Sequence, residues 1–121
     1  MQDSTSNTAQ PPGGPLLYRV VLTNPPTVDD FKSKAELGLP APPAGARDVR
    51  QLWDGISVFS TEAQARRAAR RYPLLGSYVA RLQIPSAAEI RSERTLASPG
   101  HDTLWGDSSV LLAFVTEVVP V

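Results

Sequence analysis

The chain has 121 residues, enough for one domain around a single modest core. Its 12 basic and 12 acidic residues cancel, which argues against a general nucleic-acid or membrane-surface binder. With no cysteine and one histidine, His101, disulfides and thiolate chemistry are excluded and no metal is expected.

Residues 1–14 are rich in Ser, Thr, Asn, Gln, Pro and Gly and read as a disordered tail, leaving 15–121 as one domain. That start has neither a basic segment nor an apolar stretch of signal type, no run approaches a membrane span, and a cytoplasmic location is the default. "PLLYRVVLT" (15–23) predicts a buried strand interrupted by Arg19. A charge there needs a cleft or an internal carboxylate such as Glu117 or Asp54. Thr27 is placed to cap a helix through "VDDFKSKAEL", with Asp29 and Asp30 in its first turn and Gly38 at its end. "GLPAPPAGA" (38–46) is a proline-rich loop, and "RDVRQLW" (47–53) predicts a helical turn burying Leu52 and Trp53.

"ISVF" (56–59) is a strand, followed by the best-marked helix in the chain. Thr61 and Gln64 have capping-box spacing, Ala65, Ala68, Ala69 and Tyr72 share one face, and Pro73 and Gly76 end it. Arg66, Arg67, Arg70 and Arg71 fall on the other side. Dipole and solubility account for them, and the alternative is an anion-binding or protein-binding patch. "SYVARLQI" (77–84) alternates as a strand, "AEIRSERTL" (88–96) is a polar edge strand, and "SPGHDTLWGDSS" (98–109) is a loop. The loop gathers His101, Asp102, Thr103, Trp105 and Asp107, an acid–base pair, hydroxyl donor and stacking ring, or else a Trp-capped turn. "VLLAFVTEVVPV" predicts a central strand preceded by a helical turn from Asp107. Elements mix without a βαβ rhythm, so the class is α+β, with small mixed or antiparallel sheets and two to three short helices.

An early strand bearing "YR", then "GISVFSTEAQARRAARRY", then "GSYVARLQIP" resembles the core of ADP-ribosyltransferase-fold proteins over residues 16–85. The resemblance implies a cleft between two small sheets that takes NAD or a related ADP-ribose or 2′-phosphate group. Arg19 matches the first-motif arginine and would hold pyrophosphate. Ser57, with Ser60 and Thr61 nearby, matches the second motif and would orient the nicotinamide ribose. Trp105 or Tyr78 would stack on the ligand. The third motif departs from the family: no Q-x-E or E-x-E stands in the last third, and the acidic residues there include Glu93, Asp102, Asp107 and Glu117. By position His101 and Asp107 are the catalytic candidates. A domain lacking that glutamate would hold a nucleotide without transferring it. The competing expectation is a non-enzymatic accessory or immunity-type module that binds a protein through the arginine face and the 100–107 loop.

Overall fold

The computed structural model describes residues 13–40, 53–86, 88, 90–94 and 100–121. Among the described residues there are six strands: β1 (Gly13–Val21), β2 (Ile56–Phe59), β3 (Tyr78–Pro85), β4 (Arg91–Arg94), β5 (His101–Trp105) and β6 (Val115–Pro120). They pair antiparallel throughout, in the order β4-β5-β2-β1-β3-β6. With the helices α1 (Glu62–Arg71) and α2 (Ser108–Ala113) also among the described residues, the domain is α+β, as its mixed apolar periods predict.

Pairing along this sheet is uneven. β1 and β3 run together from Gly13 opposite Pro85 to Val21 opposite Tyr78, and β3 continues onto β6. β2 and β5 pair from Ile56 opposite Leu104 to Phe59 opposite His101. Between these halves, β1 and β2 meet at one register position, Tyr18 opposite Phe59. Two three-stranded halves are thus joined by a narrow seam.

Strand alternation sends residues to two faces. Leu17, Val21, Ile56, Val58, Leu82 and Leu104 pack on one side with Phe31 and Leu111. Val20 and Val79 pack on the other against Ala65 and Ala69 of α1. Alanine lets α1 lie close to the sheet, and each fully buried Leu or Phe on the opposite face contributes about 1.5–3 kcal/mol. Thr61 starts α1 by accepting from the Gln64 amide at 3.2 Å. Pro73 and Gly76 stop it, and Gly76 lies at φ 147° in close approach to the Val21 carbonyl.

Three expectations are corrected. The helix expected over "VDDFKSKAEL" is a single 3-10 turn, Val28–Phe31. The Asp30 carboxylate accepts from the Thr27 amide as in a capping box at the start of this turn, while past its end the Ser33 hydroxyl accepts from the Glu36 amide, a local bond that competes with helix propagation. The segment expected as a loop at 98–109 contains β5, held between β2 and β4. The closing run has the helical turn expected from Asp107, as α2 capped through the Ser109 and Val110 amides, but the strand after it, β6, lies at the sheet edge rather than in its centre, paired to β3 on one side. The polar edge strand is where it was expected, as β4. Residues 1–12 of the tail expected at 1–14, 41–46 of the proline-rich loop and 47–52 of the turn expected at 47–53 lie outside the described residues, while Gly13 and Gly14, expected in the tail, begin β1. Among the described residues no helix is long and apolar enough to cross a membrane.

Candidate functional site

A cleft of about 530 Å³ opens at the seam between the half-sheets, roofed by α1. Arg19 and Val20 come from β1, Ser57 and Phe59 from β2, and His101 from β5. The helix side supplies Gln64, Arg67, Ala68 and Arg71, and the turn after it supplies Tyr72 and Leu75. Its volume falls within the range of small-molecule sites, and its mixture of apolar walls with a few polar groups is what such sites use for fit and orientation.

Arg19 spans the seam. Its Nη1 donates to the Ser57 carbonyl at 2.9 Å and its Nε to the Asp30 carbonyl at 3.0 Å. The internal carboxylates expected to pair with it are used elsewhere: Asp54 accepts from Trp105 Nε1 at 2.9 Å, and Glu117 faces Arg81 at 3.6 Å. Burial pushes the Arg19 guanidinium down to about 10, against the pull of the Asp30 charge, so it stays protonated at neutral pH. Asp30 itself is buried and fully engaged, accepting from the Leu22 amide at 2.8 Å, the Thr23 hydroxyl at 2.7 Å and the Thr27 amide at 2.9 Å. Burial alone would raise its carboxyl, but these bonds and the Arg19 charge carry it below the ordinary 3.8. The Arg19 charge therefore sits half-buried at the cleft wall without a direct salt bridge among the described residues.

His101 is 7% exposed and packs edge-on against Phe59, ring centroids 5.3 Å apart at 83°. That contact follows from register, since the two residues are cross-strand partners. Its Nδ1 is buried and has no hydrogen-bond partner. Burial pushes the imidazole below its ordinary 6.5, against the neighbouring Asp102 charge, and favours the neutral ring. Because Nδ1 is buried, any contact from this neutral imidazole to a ligand in the cleft falls to the rest of the ring.

Of the residues singled out from the sequence, Arg19, Ser57 and His101 line this one cleft, whereas Trp105 and Asp107 are not among its lining residues. The Trp105 ring lies under the Arg91 guanidinium at 3.8 Å and is tied to Asp54. Asp107 is the exposed cap of α2, and its bonds to the Ser109 side chain and the Val110 and Ser109 amides hold its carboxyl below the ordinary value. Asp102 pairs with Arg94 on β4, and Glu93 lies on that exposed edge strand. Of the four arginines expected on one helix face, Arg67 and Arg71 line the cleft and Arg66 and Arg70 do not. The spacing carried that signal: Gln64, Arg67, Ala68 and Arg71 form a stripe beside the buried stripe of Ala65 and Ala69.

No protein-family model, curated protein or solved structure matches this chain.

Proposed function

We propose that the seam cleft is the nucleotide site of an ADP-ribosyltransferase-like domain, taking NAD or a related ADP-ribose- or 2′-phosphate-bearing group. The observation that carries this reading is that Arg19, Ser57 and His101, distant in sequence, line one cleft between two half-sheets. The cationic wall suits phosphates, Phe59 and Tyr72 offer ring faces to a base, and His101 and Ser57 offer polar partners to ribose hydroxyls. No carboxylate lines the cleft among the described residues, so we read the site as one that binds the nucleotide rather than transfers from it. An oxocarbenium-like centre needs a negative neighbour to support it. Calorimetric titration with NAD and with ADP-ribose reads binding, and nicotinamide release reads turnover. Folded protein that gives neither a binding heat nor thermal stabilisation with millimolar amounts of both ligands sinks the proposal.

The protein-interaction module stays as a second reading because Leu74 is 96% exposed and Tyr72 and Leu75 beside it are also exposed, at the end of the arginine-rich helix. Its other proposed element, the 100–107 loop, contains the strand His101–Trp105, paired on both sides.

A further inference from the structure

The cleft's three guanidiniums differ in how much of their hydrogen-bonding capacity is free. Arg19 has its Nε and Nη1 committed to the Asp30 and Ser57 carbonyls, so it acts first as a strap across the seam. Arg67 and Arg71 lie four residues apart on α1, and both line the cleft. Among the described residues Arg67 makes no ion pair or side-chain hydrogen bond, and Arg71 makes only a contact with the Tyr72 ring, at 5.5 Å. Their neighbour Arg66 is instead paired with Glu62 at 2.9 Å. Helix dipole and solubility would treat Arg66, Arg67, Arg70 and Arg71 alike, but the fold does not.

Side chains at i and i+4 of a helix stand about 5–6 Å apart at Cβ, close enough for two guanidinium forks to grip neighbouring phosphates of one ligand. Each fork binds phosphate oxygens with charge-assisted bonds, and the described lining has no carboxylate to compete for them. The half-buried Arg19 charge adds to the positive field without using up the ligand's oxygens. Tyr72 and Phe59 lie near enough to take the apolar part of the same molecule.

We propose that Arg67 and Arg71 are the phosphate-binding pair of this cleft and make it selective for a ligand with two adjacent phosphates over a monophosphate or a nucleoside. This selectivity rests on reading the cleft as a nucleotide site. The test is calorimetric titration of the full chain with ADP-ribose, AMP, adenosine and inorganic pyrophosphate, using wild type, Arg67→Gln and Arg71→Gln, with Arg66→Gln and Arg70→Gln as off-cleft controls. Circular dichroism verifies that each variant is folded.

Wild type is expected to bind ADP-ribose about tenfold or more tightly than AMP, with adenosine weakest. Arg67→Gln and Arg71→Gln should each lose about tenfold on ADP-ribose and on pyrophosphate, while the controls stay within about twofold of wild type. If wild type binds ADP-ribose but neither cleft variant weakens it more than the controls do, the phosphate pair is refuted and the nucleotide reading stands. If wild type binds pyrophosphate through both arginines but gains nothing from the nucleoside part of ADP-ribose, the pair stands and the nucleotide reading falls. A wild type that binds neither anion overturns both.

Discussion

Replacing His101 with phenylalanine is expected to stabilise the protein while weakening its hold on a nucleotide. His101 is 7% exposed, and its buried Nδ1 has no partner. Leaving a buried polar atom unsatisfied costs about 1–3 kcal/mol, which a phenyl ring avoids. The ring would keep the edge-on contact with Phe59, seen here at 5.3 Å and 83°, which contributes about 0.5–1.5 kcal/mol in such pairs. Its added volume meets the open cleft rather than a filled core, so overpacking is small. The net expectation is a gain of about 1–2 kcal/mol, or a rise of roughly 4–8 °C in Tm.

The same substitution has a pH signature. His101 has a folded-state pKa below its unfolded 6.5, so the folded chain binds fewer protons. Its stabilising contribution is complete above 6.5 and declines as pH falls from there toward the folded value, by at most about 1.4 kcal/mol per pH unit. Urea melts of both proteins at stepwise lower pH should show that decline in wild type and lose it in His101→Phe. A variant less stable than wild type by more than about 1 kcal/mol would mean that the imidazole is satisfied within the fold, against the argument. A stabilised variant with unchanged ADP-ribose affinity would remove His101 from the site.

Asp30→Asn should destabilise by about 2–3 kcal/mol, because an amide NH2 would then oppose a hydrogen-bond donor now held by the carboxylate. The wild-type carboxylate contribution is complete above the unfolded 3.8 and is lost as pH falls through the lower folded value. Acid unfolding should therefore lose a component in the variant, and identical acid limbs would refute the assignment. Gly76→Ala should cost about 3 kcal/mol or more, since φ is 147° and an added Cβ would press on the Val21 carbonyl. Gly38→Ala, at φ 78° with open space around it, should cost only about 1 kcal/mol, and equal urea midpoints for the two would contradict the geometry.

Much of the local architecture was legible in the residues. An apolar, β-branched run marked β1, the short run "ISVF" marked β2, alternation marked β3, and Thr61 with Gln64 marked the start of α1. Arg19 stood out because a charge in an apolar strand demands a reason, though its partners proved to be backbone carbonyls rather than Asp54 or Glu117. The segment His101–Trp105 carries polar residues of the kind that loops carry, and nothing in its own residues marks it as a strand. It is a strand because β2 and β4 supply its hydrogen bonds from both sides.

The sequence by itself determined which faces are apolar, where α1 begins and ends, and that Arg19 needed an unusual environment. Only the tertiary structure decided that β1 and β2 pair in register only at Tyr18 and Phe59, that a cleft opens there, and that His101 lines it while Trp105 and Asp107 are not among its lining residues. It also divided four similar arginines into two that line the cleft and two that do not. The physical reason is that hydrophobic periodicity fixes the direction of each side chain relative to its own backbone. The neighbour it meets depends on which distant strands share hydrogen bonds, as β2 and β5 do, and adjacent residues carry no record of that choice.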